Sequence, residues 1–391
     1  MKKNIAVIFG GQTVEHDVSI ITAHIPIIQS LFTIGQFNVY PVYIAKNGSW
    51  YSNQAMNNLD FFKQENFEEF LKKQKKIQIL FDQGLKLIWP GFQSKTIKID
   101  IVFPAMHGTF GEDGSLMGLL RMANIPFVGC DLFASAIAMD KVLTKQILSK
   151  ENISVVPYIW FTKFDWENNK NDLREKAKKL KWPIFVKPVH LGSSIAITKV
   201  KQQSDLENAI EVAFHYDDKV LIEESIENLI EVTLPIMGND ILQTGSIERP
   251  LNKTEFFNFN DKYLSGGKKN SGIKNKYSEI PAKIKNELAE QVKDLGLKTY
   301  RAIGCSGISR IDFLIENNFE KDPIKYSQSK VNKVFVNEIN TLPGTLYCHN
   351  WRKSGVSNTE LITKLIVLAE ERFNARQKII YTFNSDILNK I

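Results

Sequence analysis

Apolar residues along this chain fall into short blocks whose period changes from segment to segment. Ile5-Ala6-Val7-Ile8-Phe9 is a continuous apolar run ending in Gly10-Gly11, which predicts a buried strand and a tight turn. Val18, Ile21, Ile25 and Ile28 then recur at helical spacing, so a helix is expected over 13–30, with Pro26 kinking its last turn. Strand, glycine turn and helix are the opening of a βαβ unit, and a second strand is expected at 37–44, closed by an Asn47-Gly48 turn. Residues 66–77 suggest a charged amphipathic helix, and 85–88 with 96–99 a peripheral hairpin. Further strands are expected at 100–106, 126–129, 156–161, 220–224 and 231–234, with two more flanking a small-residue loop within 183–197. Helices are expected at 115–123, from 132 to about 150, at 172–180 and at 281–303. Near the end, 307–315 and 334–340 both alternate apolar and polar side chains, the period of a half-buried strand.

The polar positions of those last two strands carry the first chemistry. Arg310 and Asp312 share one face, as do Glu338 and Asn340. A hairpin of the two strands would gather Asp312, Glu338 and Asn340, all hard oxygen donors, beside a fixed cation. Such a set suits Mg²⁺ with a bound nucleotide, although a solvated hairpin face would show the same pattern. Glu15 and His16 lie in the first turn of the first helix, where a carboxylate is expected on dipole grounds alone. His107 opens a loop with Gly108, Gly111 and Gly114, and such loops after parallel strands are where α/β folds place ligands. Lys187 sits mid-strand in an apolar run, which is costly unless an anion meets it. The Gly192-Ser193-Ser194 tip offers N–H groups and hydroxyls to phosphate oxygens, though the G-x-x-x-x-G-K-[ST] loop is missing. The polar stretch 256–276 is long for a connection and is expected to be a mobile lid.

Length and composition set outer bounds. A chain of 391 residues suggests two or three domains, and 43% apolar with 24% charged residues is ordinary for a globular protein. No run of about 18 uncharged apolar residues occurs, so no membrane span is expected, and the N-terminal apolar run has no cleavage signature. Cys130, Cys305 and Cys348 are odd in number and far apart, which argues against a disulfide framework and fits a reducing cytoplasm. The net charge of +7 could help hold an anionic nucleotide, while scattered lysines without an aromatic-interleaved stripe argue against nucleic acid.

Together these segments carry a resemblance. Gly10-Gly11 with Glu15-His16-Asp17-Val18-Ser19, the 107–114 loop, Met139-Asp140-Lys141, and Val186-Lys187-Pro188 with Gly192-Ser193-Ser194 resemble the D-alanine–D-alanine ligase family of the ATP-grasp superfamily. So do Lys262-Tyr263-Leu264-Ser265, Arg310-Ile311-Asp312 and 337–344, all in the family's order over nearly the whole chain. The resemblance implies an α/β (α+β) ATP-grasp fold: a Rossmann-like domain over 1–138, a central antiparallel lid over 139–240, and a C-terminal domain over 241–391. It implies that Lys141 and Lys187 hold ATP phosphates, with Lys262 reaching the γ-phosphate. Glu223 and the Glu224-Ser225-Ile226 backbone would meet the adenine edge, and Glu231 the ribose. Asp312, Glu338 and Asn340 would bind two Mg²⁺ ions, or Mn²⁺ in their place. Glu15 would receive the first amino acid's ammonium, His107 would place that substrate, and Ser193 with Tyr263 would link Glu15 to the lid. Arg310 and the Gly344 N–H would stabilise the tetrahedral intermediate.

Two departures from the family pattern stand out. Glu227-Asn228-Leu229-Ile230-Glu231 replaces a Gly-x-Glu turn, and His349 falls where the family has a serine for the second substrate's carboxylate, with Trp351 and Arg352 nearby. The implied reaction joins D-alanine to D-alanine for peptidoglycan. The alternatives are a carboxylate–amine or D-alanyl–D-hydroxyacid ligase with another second substrate and, from a different class, a non-catalytic nucleotide-binding regulator. A cytoplasmic homodimer is expected, with the tail beyond Phe373 packing on the domain or on a second subunit.

Overall fold

A computed structural model describes residues 2–251, 278–316 and 333–391. Lys262, Tyr263 and the expected lid at 256–276 lie outside the described residues. The chain opens with β1 (Lys3–Gly10), followed by α1 (His16–Ile34), β2 (Phe37–Ile44) and β3 (Trp50–Tyr51). After α2 (Phe67–Lys73), the strands β4 (Gln78–Phe81), β5 (Leu85–Trp89) and β6 (Lys95–Ile99) form a small antiparallel sheet, one strand more than the hairpin expected. β7 (Ile101–Pro104) returns to the first sheet, whose order is β3-β2-β1-β7 with β1 parallel to both β2 and β7. The expected strand at 126–129 is reduced to one bridge, Val102 to Phe127.

Helix α1 runs on past residue 30. Around Pro26 it widens into a π-helical segment, Ala23–Ile28, which accommodates the missing N–H, and Gly35 ends it in a left-handed cap. By length and composition alone α1 could cross a bilayer, but 61% of it is buried and Ile27, Ile28 and Leu31 sit in the core. It is a core helix. After α3 (Ser115–Met122), the helix expected from 132 to 150 is two helices, α4 (Leu132–Met139) and α5 (Lys141–Lys150). Asp140 breaks them apart because its carboxylate accepts the N–H groups of Val142 (2.8 Å) and Leu143 (2.9 Å) as an N-cap.

The second sheet is wholly antiparallel. It comprises β8 (Tyr158–Thr162), β9 (Ile184–Pro188), β10 (Thr198–Val200) and β11 (Lys219–Glu224), in the order β10-β9-β11-β8. Its helices are α6 (Lys163–Lys178), started nine residues earlier than expected by a Thr162–Asp165 capping box, and α7 (Leu206–Phe214). The third sheet, β13-β12-β16-β17, is built from β12 (Leu229–Gly238), β13 (Leu242–Thr244), β16 (Gly307–Glu316) and β17 (Lys333–Asn340). A minor pair, β14 (Arg249–Pro250) with β15 (Ser278–Glu279), lies beside it in sequence, and α8 (Asn286–Ile303), α9 (Cys348–Lys353) and α10 (Asn358–Gln377) complete the fold. β12 pairs with β16 from Leu229–Glu316 to Gly238–Gly307, so the chain enters the third sheet at residue 229.

The first and last thirds share a core. Ile5, Phe9 and Ile27 pack in one cluster with Ile308, Leu342, Trp351, Leu361 and Leu365. Arg372 of α10 reinforces the junction, donating to the carbonyls of Phe127 (2.7 Å) and Gly129 and to Ser306 Oγ (2.6 Å). The second sheet has its own cluster, including Phe161, Trp166, Val186, Ile210 and Ile222. Val189 and Leu221 pack instead with Val142 of α5.

The turn after β1 delivers α1 to the centre of the molecule. Gly10 has φ +89°, and a Cβ there would lie 2.2 Å from the Ile44 carbonyl oxygen of β2. Gly10→Ala should therefore cost about 2 kcal/mol or more, seen as a lower urea midpoint with the slope unchanged. An unaltered midpoint would contradict this register.

Candidate active site

A cleft opens where the three large sheets meet. Glu15, His107, Gly108 and Glu112 line it from the first sheet's side, Met139 and Lys141 from the α4–α5 junction, and Gly192 and Ser193 from the loop after β9. Arg310, Glu338, Asn340 and Gly344 line it from the third sheet. Of the residues singled out in the sequence, Lys187, Glu223, Glu224, Glu231, Asp312 and His349 are outside that lining.

The alternating strands do form an antiparallel hairpin. Asp312 stands opposite Glu338 and Arg310 opposite Asn340, with a bulge that brings Val336 opposite Phe313 and leaves Asn337 unpaired in the register. Arg310 grips Asp312 through two parallel bonds, Nε to Oδ1 at 2.6 Å and Nη2 to Oδ2 at 2.7 Å. Burial alone would loosen the Arg310 proton, but the Asp312 carboxylate outweighs it and holds the guanidinium charged. Asn340 Nδ2 donates weakly to Asp312 Oδ2 at 3.4 Å. Two carboxylates and an amide on one hairpin face make a hard-oxygen donor set that fits a divalent cation such as Mg²⁺.

Beyond Gly344 the backbone turns through three consecutive left-handed residues, Thr345 (φ 50°), Leu346 (φ 51°) and Tyr347 (φ 54°). That conformation costs about 1–3 kcal/mol for each non-glycine residue. It brings the Tyr347 ring under Arg310 (5.2 Å), its hydroxyl to Thr233 Oγ1 (2.7 Å), and the Thr345 N–H to Thr22 Oγ1 (2.9 Å). Thr22 in turn meets His107 Nε2 at 2.7 Å, so His107 is a buried, positioned group. Glu112 organises the same wall by accepting the N–H groups of Gly108 (2.8 Å) and Leu342 (3.3 Å). Glu15 precedes α1 and is itself buried, and Ser193 Oγ donates to its carboxylate across the cleft. A Cβ on Gly108 would fall 2.7 Å from Glu15 Oε2, which explains a glycine there. His16, by contrast, is structural: its ring bridges the Gly11 carbonyl (2.7 Å) and Tyr43 OH (3.0 Å).

The cations are held by protein partners. Lys187 and Glu223 are diagonal neighbours on β9 and β11 and form an ion pair, while Lys145 Nζ lies 2.9 Å from the other Glu223 oxygen. Burial would raise the pKa of Glu223, but Lys145 and then Lys187 pull it down to about 2. The carboxylate expected at an adenine edge is thus seated between two lysines. Lys141 donates to the carbonyls of Val189 (3.2 Å) and Leu191 (2.7 Å), and burial lowers its pKa. Glu224 Oε1 accepts the Lys181 N–H (2.9 Å), and Glu231 lies on β12 opposite Leu314. His349 Nε2 meets the buried Glu248 carboxylate at 2.9 and 3.1 Å, with its ring edge on Tyr347. Arg352 instead reaches Asn358 Oδ1 (3.0 Å) at the start of α10.

Sequence reasoning missed Lys145, Glu248, Thr22 and any role for Glu112. Lys145 had a signal, since it follows Lys141 by four residues and so shares its helix face. Glu248 had none, being a single acid in an irregular stretch. Removing the Glu223 charge should be severe, because Lys145 and Lys187 would lose their counter-ion. Glu223→Gln should cost about 3–5 kcal/mol at neutral pH. The depressed pKa means this contribution is whole above the ordinary value of 4.5 and is lost as pH falls through about 2. The urea-midpoint gap between wild type and variant should accordingly hold from pH 8 to 5 and narrow below. Equal midpoints at pH 7 would refute the buried pairing.

Two family descriptions match this chain: D-ala D-ala ligase N-terminus over residues 4–130, and D-ala D-ala ligase C-terminus over 147–367. A D-alanine–D-alanine ligase of Thermosipho melanesiensis is 37% identical over 388 residues, 98% of both chains. One from Clostridium novyi is 33% identical, over 96% of this chain and all of its own. Among solved structures, the D-alanine-D-alanine ligase from Coxiella burnetii superposes with a TM-score of 0.76 at 29% identity, covering 96% of each chain. VanG D-Ala:D-Ser ligase from Enterococcus faecalis gives a TM-score of 0.73 at 31% identity, covering 94% of this chain and all of its own. By its sheets, its cleft and these full-length likenesses, the chain belongs to the D-alanine–D-alanine ligase family and has the ATP-grasp fold.

Proposed function

We propose that this protein is a cytoplasmic ATP-dependent ligase that joins two molecules of D-alanine into the dipeptide used for peptidoglycan. The carrying observation is the convergence of Glu15 with Ser193, Lys141, and the Arg310–Glu338–Asn340 face on one cleft. In this reading the buried Glu15 carboxylate receives the first D-alanine's ammonium, and His107, fixed by Thr22, orients that substrate. Lys141 and Lys187 bind ATP phosphates, exchanging their carbonyl and carboxylate partners for phosphate oxygens. Glu223, the Glu224 backbone and Glu231 border the nucleoside, and Lys262 and Tyr263 act from the lid.

The first substrate's carboxylate attacks the γ-phosphorus, releasing ADP and leaving an acyl phosphate. The amine of the second then attacks the carbonyl and expels inorganic phosphate. Arg310 and the Gly344 N–H face the oxygen on which negative charge gathers in that attack. Asp312, Glu338 and Asn340 would hold two Mg²⁺ ions, which supply charge neutralisation at the phosphates when bound. The second sheet, which carries Lys187 and Glu223, serves as the lid that excludes water from the acyl phosphate.

The same reading assigns a homodimer. The tail exposes Ile380, Phe383 and Leu388, an apolar strip suited to a second subunit. The free thiols Cys130, Cys305 and Cys348 suit a reducing compartment.

One observation favours keeping a second acceptor in view. His349, which falls where the family pattern has a serine hydroxyl, is an imidazole backed by the Glu248 carboxylate. The acceptor is then a D-amino acid or D-hydroxyacid other than D-alanine.

Phosphate release from ATP, measured across D- and L-amino acids and D-lactate with products identified by mass, decides between the readings. D-alanine alone should support turnover, and it should need Mg²⁺. Glu338→Gln should abolish it with the fold intact, and Asp312→Asn should abolish it while also loosening Arg310; near wild-type turnover in either would sink the assignment. At the acceptor, losing a charge-assisted hydrogen bond costs about 1.5–3 kcal/mol. His349→Ala should thus raise the second substrate's KM about tenfold or more and leave the first unchanged. Arg352→Ala should move neither, and the reverse pattern would transfer the carboxylate contact to Arg352.

A further inference from the structure

The loop after β9 and the head of α5 hold each other from both sides. Lys141 reaches from the helix into the loop, bonding the carbonyls of Val189 and Leu191. His190, the residue between those two, reaches back. Its Nε2 lies 3.2 Å from Asp140 Oδ2, and its Nδ1 lies 2.9 Å from Asp217 Oδ1. Its main-chain N–H donates to Asp217 Oδ2 at 2.6 Å. Asp140 is the N-cap of α5, immediately before Lys141, and also accepts Lys219 Nζ at 2.8 Å. Both ring nitrogens therefore face acceptor-only carboxylates, and only the protonated imidazole can donate to both.

We propose that His190 is a positioning residue whose imidazolium locks residues 189–193 onto the head of α5, setting Lys141 and Ser193 in their working places. The proposal rests on the ligase reading for what that placement accomplishes. The charged groups around the ring are Asp140 on α5, Asp217 and the exposed Asp218 before β11, and Lys219 at its start. The acids outweigh the single lysine. Hydrogen bonds to Asp140 and then Asp217 raise the pKa of His190 to about 9, against the ordinary 6.5. Burial works against ionisation of Asp140 and Asp217, but His190 holds both below the usual carboxylate range, aided at Asp140 by Lys219. Because the folded pKa is raised, the clasp is complete below about pH 6.5 and is lost as pH rises through about 9.

The test uses the full chain and two readouts. In an NMR titration of the six histidines, the imidazole signals missing from His190→Gln should titrate near pH 9 in wild type. They should move towards neutrality in Asp217→Asn. Phosphate release with ATP and D-alanine should fall above about pH 9 in wild type. His190→Arg keeps a cation with donors at every pH, so it should lack that limb and recover to within about threefold of wild type at pH 8. His190→Gln should lose about tenfold or more in kcat, without the limb. An imidazole titrating near 6.5, or an alkaline limb unchanged in His190→Arg, overturns the clasp. An imidazole at about pH 9 in a protein that D-alanine does not turn over leaves the clasp standing and sinks the ligase reading.

Discussion

A site built for a triphosphate must keep several cations side by side, and that constraint shapes the centre of this molecule. Like charges a few ångström apart repel by several kcal/mol at the effective dielectric of a protein cleft. Each cation therefore has a protein partner. Lys187 and Lys145 share Glu223, Lys141 rests on two carbonyls, and Arg310 is forked onto Asp312. The partners come from different sheets and helices, so the arrangement exists only once β9, β11, α5 and the third-sheet hairpin are assembled. Secondary structure supplies the spacing: diagonal positions on neighbouring strands bring Lys187 to Glu223, and one helical turn separates Lys141 from Lys145.

Two loops each carry three left-handed residues beside the cleft. Ser193, Ser194 and Ala196 are left-handed on one side, and Thr345, Leu346 and Tyr347 on the other. Both loops border the cleft. Local strain of that kind persists where surrounding packing over-determines it. The second loop is anchored by Leu346, wholly buried, and by Tyr347 against Arg310. The first is held by the Ser193–Glu15 contact and by the ties of its neighbours 189–191.

Much of this was legible in the chain because it follows local periodicity. The alternation in 307–315 and 334–340 placed Arg310, Asp312, Glu338 and Asn340 on one face, and the antiparallel register brought them together. The uninterrupted apolar run at 5–9 announced a strand buried on both faces, and Gly10 its turn. Other features depend on what a residue meets rather than on its neighbours. Asp140 looks like any polar helix position until its carboxylate turns back to cap α5. Residues 126–129 have a strand's composition but find only one bridge. Glu248 faces His349 across 101 positions of sequence, and no pattern at either end announces the other.

The core shared by the two ends of the chain has a consequence for how the protein is made. Leu361, Ile362 and Leu365 of α10 belong to the same cluster as Ile5, Val7 and Phe9 of the first strand. A ribosome delivers the first sheet long before the helix that completes its packing. That apolar surface stays bare through synthesis of the entire middle of the protein, exposed to aggregation and to chaperones. Truncation within the last helix would strand the beginning of the chain as well as its end.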